Sequence, residues 1–294
     1  MSNDYVIRGT AYDGQVRAFA ARSTQLVSEM QRRHQTWPVV SAALGRTATA
    51  TAMMAMMMKN PTDRLTVQVR GDGPIGQIVV DGDAQGHIRG YVDNPAVDFP
   101  LNSVGKLDVA RAVGQGSLNI IQDLGLKDPY RGSVSLVSGE IGDDFTYYLT
   151  VSDQIPSAVG VGVLVDRDAS ILHAGGFILQ MMPGADDGLN AQLEKRIQEM
   201  PSVTQQMQAG AGPEEILYRL LGEEWSLHQK QEVSFQCHCS RKRIESTLRS
   251  LGPKELSDLI EEQGQAEVIC HFCNEAYTFT REQLEDIKRE LEAE

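Results

Sequence analysis

The sequence predicts an α+β protein in three parts: a mixed sheet-and-helix domain over residues 1–182, a helical linker over 183–232 and a small C-terminal domain over 233–294. Three observations support this division. Alternating apolar and polar residues between Gly and Asp turns predict strands in the first part, with helical periodicity between them. Pro and Gly interrupt helix-forming sequence after "PGADDG". All four cysteines lie in the last part.

The first part begins with a predicted hairpin, because "YVIRGTAY" and "QVRAFAAR" flank a turn at Asp13 and Gly14. Helices are expected from a cap at Ser23 and from Pro38 through "PVVSAALGRTATATAMMAMMMKN". Residues 65–99 predict an antiparallel meander. A strand at "GSVSLVS", a helix over "EIGDDFTYYLTVSDQ", a buried strand at "SAVGVGVLV" and a strand at "ILHAGGFILQMM" complete the domain.

The two later parts are predicted to be small. Residues 183–236 carry nine acidic and four basic side chains with short apolar faces, so we expect a few helices of marginal independent stability. In the last part, Ser240 caps one predicted helix and Pro253 opens a second. "AEVICHFC" and "EAYTFT" predict a hairpin, followed by a helix that a capping box of Thr280 and Gln283 begins.

Composition narrows the classes of function. The chain has 294 residues, of which 41% are hydrophobic and 23% charged, as in ordinary globular proteins. The formal net charge of −13 argues against broad nucleic-acid binding, which requires a basic surface. The N-terminus has no secretory pattern, and the apolar run at "ATATAMMAMMM" is too short for a membrane span. We therefore expect a cytoplasmic protein that does not bind membranes.

The cysteines form two close pairs, Cys237-x-Cys239 and Cys270-x-x-Cys273. In a reducing compartment such clusters are more often metal ligands than permanent disulfides. Four thiolates suit tetrahedral zinc, and we expect one zinc per chain in the reduced state. The metal would hold together helices and a hairpin that are too small to form a core unaided, so that metal binding and folding are one event.

The same spacing is compatible with two roles of the cysteine cluster. Each pair is close enough in sequence to form a short-loop disulfide if zinc left, which would make the cluster a redox switch. The alternative is a zinc module that stays bound throughout. His238 and His271 lie between the cysteines, but four sulfurs already complete a tetrahedral shell.

Other motifs carry less weight. "GDGPIG" at residues 71–76 matches a dinucleotide-binding spacing, but the strand-like sequence after it favours a hairpin. The sequence has no phosphate-binding loop, nucleophile elbow or zinc-protease motif, so we expect no enzyme activity. The methionines at 53, 54, 56, 57 and 58 fit an interior helix, or an adaptable apolar surface for varied partners. The basic segment "SRKR" fits a solvated helix face.

Several stretches together resemble the heat shock protein 33 family, the redox-regulated 33 kDa chaperonins. The "CHC…CHFC" pattern and "GEIGDDFTYYLTVSDQIPS" are the most specific. "AYDGQVRAFAARST", "RRHQTWPVVSAALGR" and "AGGFILQMMPGA" extend the likeness over nearly the whole chain. The linker is less distinctive.

The resemblance implies an ATP-independent holdase of the bacterial cytoplasm that is inactive when reduced and zinc-bound. It implies that oxidants expel zinc and join Cys237 to Cys239 and Cys270 to Cys273. It also implies that the C-terminal domain then unfolds, the linker loosens, and a homodimer binds unfolding client proteins.

Two other classes remain as alternatives. A zinc-stabilised nucleic-acid-binding protein would use the basic helix at 240–249, against the acidic net charge. A thiol oxidoreductase would use the Cys270-x-x-Cys273 pair, but the expected hairpin is not a thioredoxin-like context.

Overall fold

The computed structural model describes residues 3–293, and the chain divides after Gln236 into two compact units. The α+β class predicted from the sequence is confirmed, since strands and helices share both units. The division into three parts, 1–182, 183–232 and 233–294, stays a prediction.

From residue 3 onward, the first unit contains two sheets. The strands are β1 Tyr5–Ala11, β2 Val16–Arg22, β3 Arg64–Gly71, β4 Gln77–Asp83, β5 His87–Val92, β6 Gly116–Asp123, β7 Tyr130–Ser135, β8 Ser157–Val165, β9 Ile171–Met181, β10 Trp225–Glu232 and β11 Ser234–Phe235. One sheet has the order β10-β1-β2-β9-β8, and the other has the order β11-β5-β4-β3-β6-β7. Neighbouring strands are antiparallel except β11 and β5.

Seven helices accompany these sheets in the described part of the first unit. They are α1 Thr24–His34, α2 Pro38–Ala55, α3 Val109–Val113, α4 Gly142–Val151, α5 Asp187–Glu199, α6 Val203–Gln208 and α7 Pro213–Leu221. Helix α2 is apolar on nearly every side and contacts strands of both sheets, so it forms the centre of the main core. Its small residues permit close packing, because a Cβ at Gly45 would lie 2.6 Å from Val27 Cγ1.

Helix α2 ends at Ala55, five residues before the predicted end. The reason is local: the Asp63 carboxylate accepts hydrogen bonds from the backbone N–H groups of Lys59 and Asn60, at 3.3 and 3.0 Å. These bonds stabilise a turn that competes with further helix. Among the methionines, Met53 lies within α2 and is buried in the main core, whereas Met57 and Met58 follow the helix and are half-buried.

Helix α1 begins at the predicted position but is capped differently. Ser23 occupies the N-cap, yet its hydroxyl pairs with that of Thr49 at 2.7 Å and makes no cap bond. The carboxylate of Asp4, just before β1, accepts the N–H of Leu26 at 2.7 Å instead. Asp4 is 3% exposed, and this burial raises its pKa to about 6.

The segment "GEIGDDF" forms a tight structure at the start of α4. Asp144 is buried, and its carboxylate accepts the N–H groups of Val137 at 2.7 Å and Ile141 at 2.9 Å. Ile141 has φ 71°, in the left-handed region that side chains disfavour, so the carboxylate stabilises a strained turn. The turn presents Glu140 to Arg46 at 2.6 Å.

Helices α5, α6 and α7 pack on the five-stranded sheet through a second apolar cluster. Ile216 and Leu220 of α7 belong to this cluster together with Ile7 of β1 and Phe177 of β9. The prediction of several short helices in this segment is confirmed. Their arrangement also depends on polar contacts: the Tyr12 hydroxyl donates to the Leu221 carbonyl at 2.7 Å.

Three expectations need correction or addition. The sequence alone predicts no strand at β6 or β10, although both pair along their length. The prediction that β8 is a buried strand is wrong, because Val163 is its only buried residue and the other eight are half-buried. Since β8 is the last strand of its sheet, one side of it has no neighbouring strand among those described.

Candidate metal centre

Within residues 237–293, which belong to the second unit, three helices and a hairpin surround a small core. Its elements are α8 Arg241–Arg249, α9 Pro253–Gln263, β12 Gln265–Ile269, β13 Ala276–Thr280 and α10 Arg281–Ala293. Its core is built from seven buried residues: Leu248, Leu256, Ile260, Ala266, Phe279, Leu284 and Ile287. A core of this size stabilises a fold only weakly, so a metal bound by the cysteines would add substantially to the stability of this unit.

Local signals position the two cysteine pairs as the sequence predicts. The Ser240 hydroxyl accepts the N–H of Arg243 at 3.3 Å, so α8 begins directly after Cys237 and Cys239. The N–H of Thr280 donates to Gln283 Oε1 at 3.0 Å, as expected for the capping box.

Cys270 and Cys273 lie in the turn between β12 and β13. The N–H of Asn274 donates to the Cys270 carbonyl at 2.8 Å, and Asn274 adopts φ 58°. This turn points both sulfurs toward the first pair.

The four sulfurs form one cluster. All four Sγ atoms of Cys237, Cys239, Cys270 and Cys273 lie within 4.8 Å of one another. The Cys237–Cys270 and Cys239–Cys273 sulfur distances are 3.7 and 3.3 Å. Four thiolates about 2.3 Å from a tetrahedral zinc would be separated by about 3.8 Å, so the donor set and its dimensions fit zinc.

Burial shapes the chemistry of the cluster. It raises the pKa of the Cys239 and Cys273 thiols, which disfavours two thiolates in so small a volume without a cation. A bound divalent metal would favour the deprotonated form. The cluster is therefore suited to hold a metal.

Tyr277 contacts the cluster and was not identified from the sequence. Its hydroxyl donates a hydrogen bond to Cys239 Sγ at 3.2 Å, and this bond raises the pKa of Tyr277. The available signal was strand alternation, which puts Tyr277 on the same side of β13 as the core residue Phe279. His238 and His271 are not members of the four-sulfur group in the described part of the chain.

The "GDGPIG" segment, which matches a dinucleotide-binding spacing, has a structural role. "GDGPIG" connects β3 to β4, so the prediction of a hairpin is confirmed. Its glycines allow a close approach, since a Cβ at Gly73 would lie 2.3 Å from the Ala112 carbonyl oxygen. Within residues 3–293, no helix combines the length and apolar character that crossing a membrane requires.

Comparison with known proteins gives consistent matches. A family model described as Hsp33 protein matches residues 4–280. The 33 kDa chaperonin of Bacillus subtilis (strain 168) is 54% identical over 286 residues, which cover 97% of this chain and 98% of the relative. That of Geobacillus sp. (strain WCH70) is 54% identical over 293 residues, covering 99% of each. The crystal structure of the 33 kDa chaperonin from Thermotoga maritima has a TM-score of 0.94, 37% identity and complete coverage of both chains.

Proposed function

The chain belongs to the Hsp33 family, and from this premise we propose that it is a redox-regulated, ATP-independent holdase that binds unfolding proteins in the bacterial cytoplasm. The relatives named 33 kDa chaperonin support a chaperone function. The four-sulfur cluster is the observation that supports redox control.

In the resting state proposed here, Cys237, Cys239, Cys270 and Cys273 hold one zinc as thiolates. Bound zinc would supply a tetrahedral cross-link between the segment before α8 and the β12–β13 turn. Structural zinc in small fingers contributes on the order of 10 kcal/mol, whereas the core of a domain this small rarely supplies more than about 5 kcal/mol. In this state the chaperone is inactive.

Activation begins at the sulfurs. A thiolate attacks a peroxide oxygen, the O–O bond breaks, hydroxide leaves and the cysteine becomes a sulfenic acid. A second thiolate then displaces another hydroxide and forms the disulfide, so two sulfurs lose two electrons and one peroxide gains two. We propose the pairs Cys237–Cys239 and Cys270–Cys273, which consume two peroxides and remove all four ligands.

Oxidation of the cysteines would affect the rest of the protein through the linker. We propose that the part at 233–294 unfolds after oxidation and that the metastable linker at 183–232 then detaches from the core at 1–182. Support comes from the packing of α7, whose Ile216 and Leu220 cover Ile7 and Phe177 of the sheet. Detachment would expose these apolar side chains to clients, and the active form would be a homodimer.

The test combines metal content with chaperone activity. The reduced protein is expected to contain about one zinc per chain, and peroxide with mild heating is expected to release it. The oxidised protein should then suppress aggregation of a thermally unfolded reporter enzyme in light scattering, without ATP. A zinc-free oxidised protein that leaves aggregation unchanged would refute the proposal.

A further inference from the structure

A cavity with a volume of about 320 Å³ lies at the end of helix α2 and is lined by residues of both sheets. Its apolar wall consists of six side chains: Met54, Met57, Met58, Leu65, Leu124 and Ile155. We call it the methionine cavity. Its volume is at the lower end of the range for small-molecule sites. Methionine side chains are flexible and polarisable, so this wall can adapt to an apolar guest.

Arg17 brings a charge to the core-facing side of the five-stranded sheet. It precedes Phe19 by two residues in β2, and Phe19 belongs to the main core, so both side chains share one face. The guanidinium of Arg17 is held by Gln180 of β9, whose Oε1 accepts Nε at 3.0 Å and Nη2 at 2.6 Å. Gln180 is only 1% exposed. A buried amide therefore fixes the orientation of a cation in the wall of the cavity.

This guanidinium has no counter-charge. Gln180 is neutral, and within residues 3–293 no carboxylate forms an ion pair with Arg17. Burial lowers the pKa of Arg17, and the charge of Arg8 lowers it further. A half-buried cation without an anion is unfavourable, because it has lost part of its hydration and gained no partner.

The acidic residues of the lining do not supply this partner. Asp63 accepts the N–H groups of Lys59 and Asn60 and so belongs to the turn after α2. Asp153 is half-buried, and burial raises its pKa. A buried carboxyl group can take up a proton, whereas arginine keeps its charge throughout the physiological pH range. The cavity therefore lacks one anionic group, and a second would add to the negative charge of Asp63 and Asp153.

We propose that the methionine cavity binds a small apolar monocarboxylate of the medium-chain fatty-acid class, with its carboxylate on Arg17 and its chain against Met57 and Met58. The exposed Lys59 at the rim would add electrostatic attraction. All lining residues lie between 17 and 180, outside the proposed linker and the second unit. The inference thus goes beyond the proposed chaperone function and applies whether or not the linker is attached.

The experiment is isothermal titration calorimetry with the reduced full-length protein. Three probes of equal chain length separate the effects of charge: octanoate has one carboxylate, octylamine has an ammonium group, and octanedioate has a carboxylate at each end. Arg17→Gln removes the charge and keeps a group that can bond to Gln180. Arg131→Gln, at an exposed arginine of β7 outside the lining, is the matched control.

A second pair of variants tests the apolar wall and keeps the test valid if Arg17→Gln fails to fold. Met57→Gln puts an amide of similar size at a half-buried position of the wall. Met182→Gln, at a half-buried methionine outside the lining, is its control.

We expect octanoate to bind the wild type saturably at one site per chain, and octylamine to show no saturable binding. Octanedioate should bind at least about tenfold more weakly, because its second carboxylate would enter the apolar part of the cavity. Arg17→Gln should weaken octanoate binding at least about tenfold through loss of a charge-assisted contact. Met57→Gln should weaken it at least about threefold through loss of apolar contact, and both controls should stay within about twofold of the wild type.

Three results would overturn the proposal. One is the absence of saturable octanoate binding by the wild type, and another is equal affinity for octanoate and octylamine. The third is an unchanged octanoate affinity in a folded Arg17→Gln or Met57→Gln variant, which would assign the ligand to a different apolar surface.

Discussion

Tyr277 is a side chain that contacts the sulfur cluster without belonging to the proposed ligand set. Its hydroxyl lies 3.2 Å from Cys239 Sγ. A hydrogen bond to a thiolate withdraws charge from the sulfur and lowers its nucleophilicity toward an oxidant. This contact would make the proposed switch less sensitive to weak oxidation.

Removing that hydroxyl should therefore accelerate oxidation. We expect Tyr277→Phe to release zinc about threefold to tenfold faster at fixed peroxide, because loss of a charge-assisted hydrogen bond acts directly on the attacking sulfur. A chromogenic chelator reports the rate. Thr278→Val, which removes a hydroxyl from the next residue of β13, should leave the rate unchanged; equal rates in Tyr277→Phe and wild type would contradict the prediction.

Asp4 links stability to pH. Burial raises its pKa from 3.8 to about 6, so the folded protein holds this proton more tightly than the unfolded chain does. Its contribution is fully present below about pH 4 and is lost as pH rises through about 6. Above that pH the buried carboxylate lowers the free energy of unfolding by roughly 3 kcal/mol.

Substitution of Asp4 tests the direction of this pH dependence. Asp4→Asn keeps an oxygen for the Leu26 N–H and removes the charge, so the variant should unfold at a higher temperature than wild type at pH 7.5 and lose that advantage at pH 4. Calorimetry at both pH values measures the difference. Asp128→Asn, in an exposed loop, is the control. If Asp4→Asn unfolded at a higher temperature than wild type at pH 4 only, the predicted direction of the pH dependence would be wrong.

A polar contact ties α7 and β10 to the first strand. The Tyr5 hydroxyl of β1 donates to Glu214 of α7 at 2.6 Å, and Lys230 of β10 contacts the same carboxylate at 3.1 Å. Lys230 also lies 3.7 Å from the centre of the Tyr5 ring. The half-buried Tyr5 side chain of β1 therefore holds both α7 and β10.

Loss of this contact should loosen α7 and β10 before the rest of the unit. We expect Tyr5→Phe to lower the free energy of local opening by about 1 kcal/mol, since it removes one hydrogen bond to a charged group that is partly screened by solvent. Hydrogen exchange at α7 and β10 should become faster while β9 is unaffected. Tyr218→Phe, an exposed tyrosine of α7, is the control; equal exchange in Tyr5→Phe and wild type would exclude this role.

The elements that the sequence predicted well are those with local signals. The β1–β2 hairpin follows from Asp13-Gly14, and α8 follows from the cap at Ser240. Strand β10 is not predicted because "WSLHQKQE" is mostly exposed and has little apolar alternation, and its partner β1 lies more than 200 residues earlier in the chain. Pairing at such distance leaves no local pattern.

Only part of the candidate site could be predicted from the sequence, because only part of it depends on local patterns. Paired cysteine spacing indicates a four-sulfur cluster without any knowledge of the fold, and the structure brings all four sulfurs together. The contact from Tyr277 depends on the β12–β13 register, which pairs Val268 with Tyr277. A register of this kind is a property of the folded hairpin and not of the motif.

The two compact units should respond differently to metal removal. The second unit has a core of seven buried residues, whereas the first has a core around α2 and both sheets. A strong chelator under reducing conditions should therefore unfold residues 237–294 and leave the sheets of the first unit folded.

Hydrogen exchange with and without the chelator measures this difference. Amides of α9 and β13 should lose protection, and amides of α2 should keep it. Cys273→Ser should reproduce the effect without a chelator, and Ser246→Ala, at an exposed serine of α8 in the same unit, should not. If the amides of β13 stayed protected from exchange after complete removal of zinc, the apolar core alone would be enough to keep the second unit folded.

The pairing of β1 with β10 constrains how this chain is made. Tyr5 lies opposite Glu232, so on a ribosome the first strand to emerge waits for one of the last strands of its sheet. During that interval the outer side of β1 is exposed, as an edge open to other nascent chains. A protein proposed to protect others from aggregation would thus spend most of its own synthesis with an aggregation-prone edge uncovered.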